Sequence, residues 1–161
     1  MARVLGRFEH EDPFHPLLGD VLRPLVDVSV RIGDNSVQLE LQIDTGADYT
    51  VLSPAAARRT LRGAYDLIDF EQDDARFDLY GISGSPSEYV IRDATLTFHD
   101  EQKVPLTIDL PVLIARPSTP QPTPDSNWEA PSLLGQDALR TFDLALSYNP
   151  PSVSLTEAGL G

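Results

Sequence analysis

The strongest constraint on the fold is a long alternation of apolar and polar residues that ends at an acidic residue. The apolar positions are Val26, Val28, Val30 and Ile32, and then Val37, Leu39, Leu41 and Ile43. Residues 33–35, Gly-Asp-Asn, separate the two runs and have the composition of a turn. Such alternation is typical of half-buried strands, so residues 25–43 predict a β-hairpin. Its second strand ends at Asp44, where a sheet fixes a carboxylate that solvent still reaches.

Alternating apolar residues recur along the remaining chain, and helix signals are few. Further strands are predicted in residues 49–52, 77–82, 89–98, 104–114, 132–134, 142–148 and 153–155. A short helix is predicted after Ser53, an N-cap residue, and Pro54, which suits the first helical position; it closes near Gly63. Residues 136–141 predict a further turn or two of helix. The pattern indicates an all-β fold with one or two short helices.

Length and charge bound the class of protein. With 161 residues the chain is long enough for one domain with a hydrophobic core. It contains no cysteine and no histidine cluster with metal-ligand spacing, so we expect no disulfide, no metal and no cofactor. A net charge of −13 disfavours nucleic acid and anionic membranes as partners, because both demand basic surface. Solubility is the favoured interpretation of this acidity, and attraction of basic substrates is the alternative.

Residues 1–24 are predicted to form an irregular N-terminal arm, because three prolines lie among scattered charges without a clear period. His10 and His15 in this arm are interpreted as solvated side chains rather than metal ligands or a pH switch. The arm holds no sustained apolar run and no stretch reaches membrane-spanning length, so we expect a soluble cytoplasmic protein. Residues 157–161 are expected to be a short tail.

Residues 116–131 hold five prolines, which cannot join the interior of a sheet. They predict a stiff, exposed loop. Trp128 within this segment either pins the loop onto the body of the protein or lines a cleft. We favour pinning, because a large apolar ring gains most from burial.

Asp44 is followed by Thr45 and Gly46, a combination that suits either an ordinary turn or acid–base chemistry. Gly46 lets two backbones approach, so the carboxyl of Asp44 can lie close to a second carboxyl. Two carboxyls at about 3 Å share a proton, which supplies an acid and a base from one residue type. The tripeptide alone does not separate the two uses, since Asp, Thr and Gly are common turn residues.

The surroundings of this tripeptide extend the pattern. Residues 43–48, Ile-Asp-Thr-Gly-Ala-Asp, are followed by Val-Leu-Ser at 51–53 and, far downstream, by Leu-Leu-Gly-Gln-Asp-Ala-Leu at 133–139. In this combination the chain resembles the retropepsin-like aspartic proteases over residues 25–156, with 116–131 as a proline-rich insertion. The resemblance implies a closed β-barrel or sandwich. It also implies that the glycine of the second motif packs where a ψ-shaped loop supports the catalytic turn.

The resemblance assigns roles residue by residue. Asp44 would be the catalytic carboxylate, Thr45 would bridge two catalytic turns through its hydroxyl, and Gly46 would approach the substrate or the partner turn. Ala47 and Asp48 would contact the main chain of a protein or peptide substrate. The flap that closes over this substrate would contain Gly81, Ile82, Ser83 and Gly84. Without the family, the same glycine-containing stretch predicts a plain hairpin turn.

One chain supplies one catalytic motif, because no second Asp-Thr-Gly or Asp-Ser-Gly occurs. A dyad needs two acids, so the catalytic hypothesis predicts a two-fold symmetric homodimer with both copies of Asp44 on the axis. The terminal hairpin leaves open whether this dimer interleaves its chain ends as viral members do. Gln136 stands where viral members usually carry an arginine that pairs with the acid matching Asp48, so a different supporting network is expected. The other hypothesis is a non-catalytic dimerisation or peptide-binding module, in which Asp44 is a structural turn residue.

Overall fold

A computed structural model describes residues 1–10, 21–80 and 86–159, which are mostly strand. The strands are β1 (Arg3–Leu5), β2 (Arg7–His10), β3 (Leu22–Ile32), β4 (Asn35–Ile43), β5 (Val51–Leu52), β6 (Arg76–Tyr80), β7 (Pro86–His99), β8 (Pro105–Ala115), β9 (Leu133–Leu134), β10 (Phe142–Tyr148) and β11 (Pro151–Glu157). The helices are α1 (Pro54–Leu61), a following 3-10 helix (Arg62–Leu67) and α2 (Gln136–Leu139). The all-β class with short helices is therefore confirmed.

Two sheets organise these strands. The larger sheet has the order β2-β3-β4-β9-β5-β8-β7-β6, and β3 pairs in addition with β7, so that two strands distant in this order are hydrogen-bonded. The smaller sheet has the order β1-β11-β10. Most pairs are antiparallel, but β9 lies parallel to β4 and β5 lies parallel to β8. The predicted hairpin of residues 25–43 is confirmed as β3 and β4, joined at Gly33 and Asp34.

The core is built by the alternating residues that predicted the strands. Val26, Val28 and Val30 of β3 are fully buried, while Asp27 between them and Arg31 after them are exposed. The largest fully buried side chains of the other elements are Val4, Leu41, Leu52, Val90, Leu96, Phe98, Ile114, Leu134 and Leu155. Burial of this apolar area is the main force that holds the chain together, because the sequence has no cysteine. Among the described residues, no helix has the length and apolar character needed to cross a membrane.

The start of α1 forms as its sequence predicts. The Ser53 side chain accepts a hydrogen bond from the amide of Ala56 at 3.2 Å, and Pro54 occupies the first turn. This N-cap satisfies one of the amides that a helix start leaves unpaired. The helix then packs on β4 and β3 through Ala56, Ala57 and Leu61.

The prediction of an irregular N-terminal arm is wrong for the described residues 3–10 and 22–24. β1 pairs with β11, β2 pairs with β3, and β3 already begins at Leu22. The chain crosses from one sheet to the other at Gly6, whose amide donates to the carbonyl of Val153 at 3.0 Å. A Cβ at Gly6 would lie 2.4 Å from the Leu25 carbonyl oxygen, so only glycine fits the crossing. His15 lies outside the described residues.

The proline-rich residues 116–131 form no strand, as predicted, and Trp128 pins them to the body of the protein. The indole is 4% exposed and its Nε1 donates to the carbonyl of Thr119 at 2.8 Å. Its ring contacts Tyr65 edge-on at 6.0 Å, and the Arg58 guanidinium lies 5.8 Å from its centroid. The interpretation of Trp128 as a pin is therefore confirmed.

Candidate functional site

The site begins at the end of β4, where the chain turns sharply after Asp44. The Asp44 amide donates to the carbonyl of Leu134 at 3.1 Å, and the Ala47 amide donates to the carbonyl of Asp44 at 3.2 Å. The amide of Gly46 donates to Oδ1 of Asp44 at 2.9 Å, which orients the carboxylate. Asp44 is half-buried, whereas Thr45 and Gly46 are exposed. The turn thus holds an oriented, half-exposed carboxylate beside two exposed residues.

A second segment, residues 132–137, braces this turn. It enters the sheet beside β4, where the amide of Gln42 donates to the carbonyl of Ser132 at 2.8 Å and β9 continues the parallel pairing. At Gly135 the two backbones meet: a Cβ there would lie 2.4 Å from both the carbonyl carbon and the oxygen of Tyr49. Gly135 has an ordinary negative φ of −91°, so lack of space and not handedness requires glycine at this position.

Backbone hydrogen bonds continue the brace beyond Gly135. The amide of Gln136 donates to the carbonyl of Ala47 at 2.8 Å, and the amide of Asp137 donates to the carbonyl of Asp48 at 3.2 Å. The side-chain amide of Gln136 donates to the carbonyl of Thr45 at 2.5 Å. One short segment thus donates hydrogen bonds to three carbonyls of the turn, those of Thr45, Ala47 and Asp48. The structure therefore brings the two sequence motifs together.

The brace has a polar centre that sequence reasoning missed. The carboxylate of Asp137 accepts hydrogen bonds from the amide and the hydroxyl of Thr50, at 3.1 and 2.8 Å. The same hydroxyl accepts from the amide of Gly135 at 3.2 Å, and Thr50 is completely buried. The buried hydroxyl of Thr50 is thus bonded to both Asp137 and Gly135, and these bonds fix the spacing between the Asp44 turn and residues 132–137. The only signal for this centre in the sequence is an acidic residue directly after Gly135-Gln136, inside an otherwise apolar stretch.

Four predicted site residues extend from Asp44 along the same turn, namely Thr45, Gly46, Ala47 and Asp48. Asp48 is exposed and lines a cavity of about 450 Å³ together with Tyr49, Gln136 and Arg140. Leu110 and Pro111 also line this cavity, so the space beside the turn has both polar and apolar walls. Among the residues that the structure describes, no group of three or more His, Cys, Asp or Glu could hold a metal ion.

The predicted flap residues Gly81, Ile82, Ser83 and Gly84 lie outside the described residues. The strands on either side of them are described, and β6 pairs with β7 up to Tyr80 opposite Pro86, so a hairpin flanks this position. Phe77 of β6 contacts Tyr49 edge-on, with ring centroids 5.6 Å apart. This contact attaches the hairpin to the segment that follows the Asp44 turn.

Ion pairs hold the β6–β7 hairpin in place. Arg92 of β7 pairs with Asp73 at 2.7 Å, and its hydrogen bonds hold the pKa of Asp73 below the ordinary value. Arg116 bridges Glu88 and Glu71 at 2.8 and 3.1 Å. These ion pairs hold the hairpin at two levels, at Arg92 near its base and at Glu88, which lies opposite Asp78.

No protein-family model matches the chain, and a search of the curated proteins finds no match either. The features of this chain that bear on function are the oriented carboxylate of the Asp44 turn and the brace behind it.

Proposed function

We propose that this chain is one half of a homodimeric aspartic endopeptidase with a retropepsin-like fold. The observation that carries the proposal is the exposed turn at Asp44, whose carboxylate is oriented by Gly46 and whose backbone is braced by residues 132–137. An ordinary surface turn does not require such bracing. A carboxylate that must meet a second carboxylate at a fixed distance does, because catalytic groups work only within narrow limits of position.

The sheet arrangement supports the retropepsin-like part of the proposal. The additional pairing of β3 with β7 folds the larger sheet back on itself, as a closed arrangement of strands needs. The close approach of Gly135 to Tyr49 supports the role that the resemblance implies for the glycine of the second motif. Gln136 replaces the arginine of viral members, and its hydrogen bond to Thr45 supplies a different support for the turn.

In the proposed reaction the two copies of Asp44 hold one proton and one water molecule between them. The ionised carboxylate takes a proton from water as the water oxygen attacks the scissile carbonyl carbon, and the protonated one donates to the carbonyl oxygen. The resulting tetrahedral diol collapses with cleavage of the C–N bond: the protonated carboxyl donates to the leaving amine, and the ionised carboxylate takes the proton of one diol hydroxyl, which restores the single shared proton. Atoms balance without a metal or cofactor.

The substrate in this proposal is an extended peptide with apolar residues near the scissile bond. It would lie as an added strand between the flap hairpin and the Asp44 turn, with Ala47 and Asp48 contacting its main chain. Tyr49 and Phe77 contribute aromatic surface beside this path, and Tyr49 is 41% exposed. Apolar side chains of a peptide gain free energy by covering such rings.

The first test is Asp44→Asn, which removes a shareable proton site but keeps the size of the side chain. We expect loss of peptide cleavage with an unchanged unfolding temperature, because the amide oxygen still accepts from Gly46. Asp34→Asn, at the exposed turn between β3 and β4, is the matched control and should cleave at the wild-type rate. Wild-type cleavage by Asp44→Asn would remove Asp44 from the chemistry.

Subunit mixing tests the two-chain dyad. When equal amounts of wild type and Asp44→Asn exchange subunits, about a quarter of the dimers are fully wild type, against about half when the stocks are pooled without exchange. We therefore expect activity to fall about twofold on exchange, with exchange verified by mass tags. Constant activity after verified exchange would mean that one chain holds a complete site.

The pH profile of cleavage tests the shared proton. We expect a maximum below neutral pH, because the dyad must keep one proton and because protonation of acidic residues reduces repulsion between chains of charge −13. A rate that still rises from pH 7 to pH 9 would contradict a carboxylate dyad.

A non-catalytic dimerisation or peptide-binding module is the second candidate. The hydrogen bond from Gly46 to the Asp44 side chain favours it, since this bond is also what an Asx turn makes in a purely structural role. In that case neither the wild type nor Asp44→Asn would cleave peptide, and both would bind it equally and unfold at the same temperature, because the asparagine oxygen still accepts from Gly46.

A further inference from the structure

The smaller sheet has two edges with different surroundings. The outer side of β1 is covered at Arg3, whose carbonyl accepts from the amide of Glu101 at 3.1 Å and whose guanidinium makes two hydrogen bonds to the Glu101 carboxylate. The other edge is β10, and within the described ranges no strand pairs with its outer side. An open edge presents unpaired amides and carbonyls to any strand that can reach it.

The register identifies which groups of β10 point outward. The amide of Gly6 donates to the carbonyl of Val153, and the amide of Glu157 donates to the carbonyl of Ala2, so the odd residues of β11 bond toward β1. The even residues, such as Ser154, therefore bond toward β10, where Ala145 is opposite Ser154. By the same alternation, the backbone groups of Leu144, Leu146 and Tyr148 point away from β11 to the open edge.

This edge lacks the charges that usually guard an exposed strand. Residues 144–156 contain no Asp, Glu, Lys or Arg, and no other stretch of the sequence is free of charge for so long. Leu146 is 37% exposed and Tyr148 is 60% exposed. By contrast, the β2 edge carries Arg7, which pairs with Glu9, Asp27 and Glu40. Charged side chains of this kind oppose edge-to-edge pairing, and β10 has one, Asp143, at its start.

We propose that a second copy of this chain pairs antiparallel with β10, giving a continuous six-stranded sheet across a two-fold axis. The inference rests on the proposed function in one respect: a site with one acid per chain needs this partner to supply the second Asp44. Charge favours the same place, because two chains of net charge −13 repel least along residues 144–148, which carry no charged side chain. The chain ends are then not interleaved, since β1 is already paired with β11 of its own chain.

The edge is coupled to the Asp44 turn through α2. Gln136, the first residue of α2, holds the Thr45 carbonyl, and β10 begins three residues after α2 ends at Leu139. For this dimer to form the proposed dyad, the two-fold axis beside β10 must also bring the two Asp44 turns together. If two copies of β10 overlap along their full length, the two-fold axis passes between Ala145 and the same residue of the second copy. These two residues then face each other as a non-hydrogen-bonded pair, with Cα atoms about 4.5 Å apart.

Cross-linking tests this register directly, because the chain has no native cysteine. Ala145→Cys should form a disulfide-linked dimer under mild oxidation, seen on a non-reducing gel and lost on reduction. Ala64→Cys, an equally exposed alanine in the 3-10 helix, is the matched control and should stay monomeric on the same gel. Equal cross-linking of both variants, or of neither, would overturn the proposed register.

Sedimentation equilibrium tests the edge without introducing a covalent bond. Leu146→Glu places like charges across the axis and should raise the dimer dissociation constant at least about 100-fold, because such juxtaposition costs several kcal/mol. Leu67→Glu, the same change at a leucine that is 85% exposed, should leave it unchanged. Circular dichroism verifies that both variants are folded. A wild-type chain that stays monomeric, or a dimer that Leu146→Glu does not weaken, overturns the inference.

The two proposals fail separately. A dimer that cross-links at Ala145 but cleaves no peptide supports the interface and overturns the peptidase. A dimer that cleaves peptide, loses cleavage with Asp44→Asn and resists Leu146→Glu overturns the interface and supports the peptidase.

Discussion

Two irregular segments of this protein are held in opposite ways. The turn that follows Asp44 is held by hydrogen bonds, from Gly46 within the turn and from Gln136 and Asp137 across it. The proline-rich loop of residues 116–131 is anchored at Trp128, whose large side chain is buried against Tyr65 and whose carbonyl accepts from the amide of Ala55 at 3.0 Å.

Hydrogen bonds and a buried ring differ in how much of the segment they leave exposed to solvent. Burying an indole removes a large apolar area from water and closes the surface around it. A polar brace fixes backbone positions from behind and leaves the front open, so Thr45 and Gly46 remain exposed although the turn is tightly bonded. A segment that must be both rigid and accessible, as a catalytic turn must be, is therefore better built by the second method.

The largest effect on this comparison is expected from Gly135→Ala. The added Cβ would lie 2.4 Å from backbone atoms of Tyr49, which cannot move without breaking the brace. We expect a loss of at least about 3 kcal/mol in the free energy of unfolding, measured by urea denaturation, or failure to fold.

Gly63→Ala is the control for this substitution, because a Cβ at Gly63 meets no atom within 4 Å. It should change the free energy of unfolding by less than about 1 kcal/mol. If Gly135→Ala were equally harmless, the two segments would not be in rigid contact, and the polar brace would lose its basis.

The loop is tested by Trp128→Ala, with an expected loss of about 3–5 kcal/mol. Trp128→Phe keeps most of the apolar area but removes the Nε1 donor to Thr119, so it should cost less. The measurement is urea denaturation followed by far-ultraviolet circular dichroism. If the loop and the Asp44 turn are held in place independently, Trp128→Phe leaves peptide cleavage at the wild-type rate. A large loss of cleavage would mean that the loop and the Asp44 turn are coupled.

Local patterns predicted the parts of the fold whose partners are close in sequence. The β3–β4 hairpin follows from two alternating runs around Gly33, and the start of α1 follows from Ser53 and Pro54. The strands of residues 3–10 could not be predicted in this way. Each is three or four residues long, and their partners lie in β11 and β3, so only distant contacts make them strands.

The same limit applies to the site. The position of Asp44 at a strand end follows from the alternation before it, and the need for a small residue at Gly135 follows from the resemblance. The bond between Asp137 and Thr50 joins residues 87 positions apart and depends on how the two segments are stacked. A single sequence shows the acid and the hydroxyl but not that they meet.

The bond itself is tested by Thr50→Val, which keeps the volume of the side chain and removes the hydroxyl. The Asp137 carboxylate loses a donor and the Gly135 amide loses its acceptor, so we expect a loss of about 1–3 kcal/mol. Asp137→Asn and the double variant complete a thermodynamic cycle, and their coupling energy should be at least about 0.5 kcal/mol. Thr107→Val, on the exposed side of β8, is the control and should have no such coupling.

The smallest effect at neutral pH is expected from Tyr65→Phe, beside the Trp128 pin. Tyr65 is 5% exposed, and within the described chain its hydroxyl has no hydrogen-bond partner. Burial raises the pKa of Tyr65 to about 12. Below pH 10 the hydroxyl is protonated in both the folded and the unfolded chain, so removing it should change stability by less than about 1 kcal/mol.

Above pH 10 the unfolded chain releases this proton and the folded chain retains it, so the wild type loses stability as pH rises from 10 to 12. At pH 11 this loss is about 1 kcal/mol, and Tyr65→Phe should not show it. Parallel alkaline profiles of the two proteins in urea denaturation would mean that Tyr65 is accessible to water and that the loop is not held by a closed aromatic cluster.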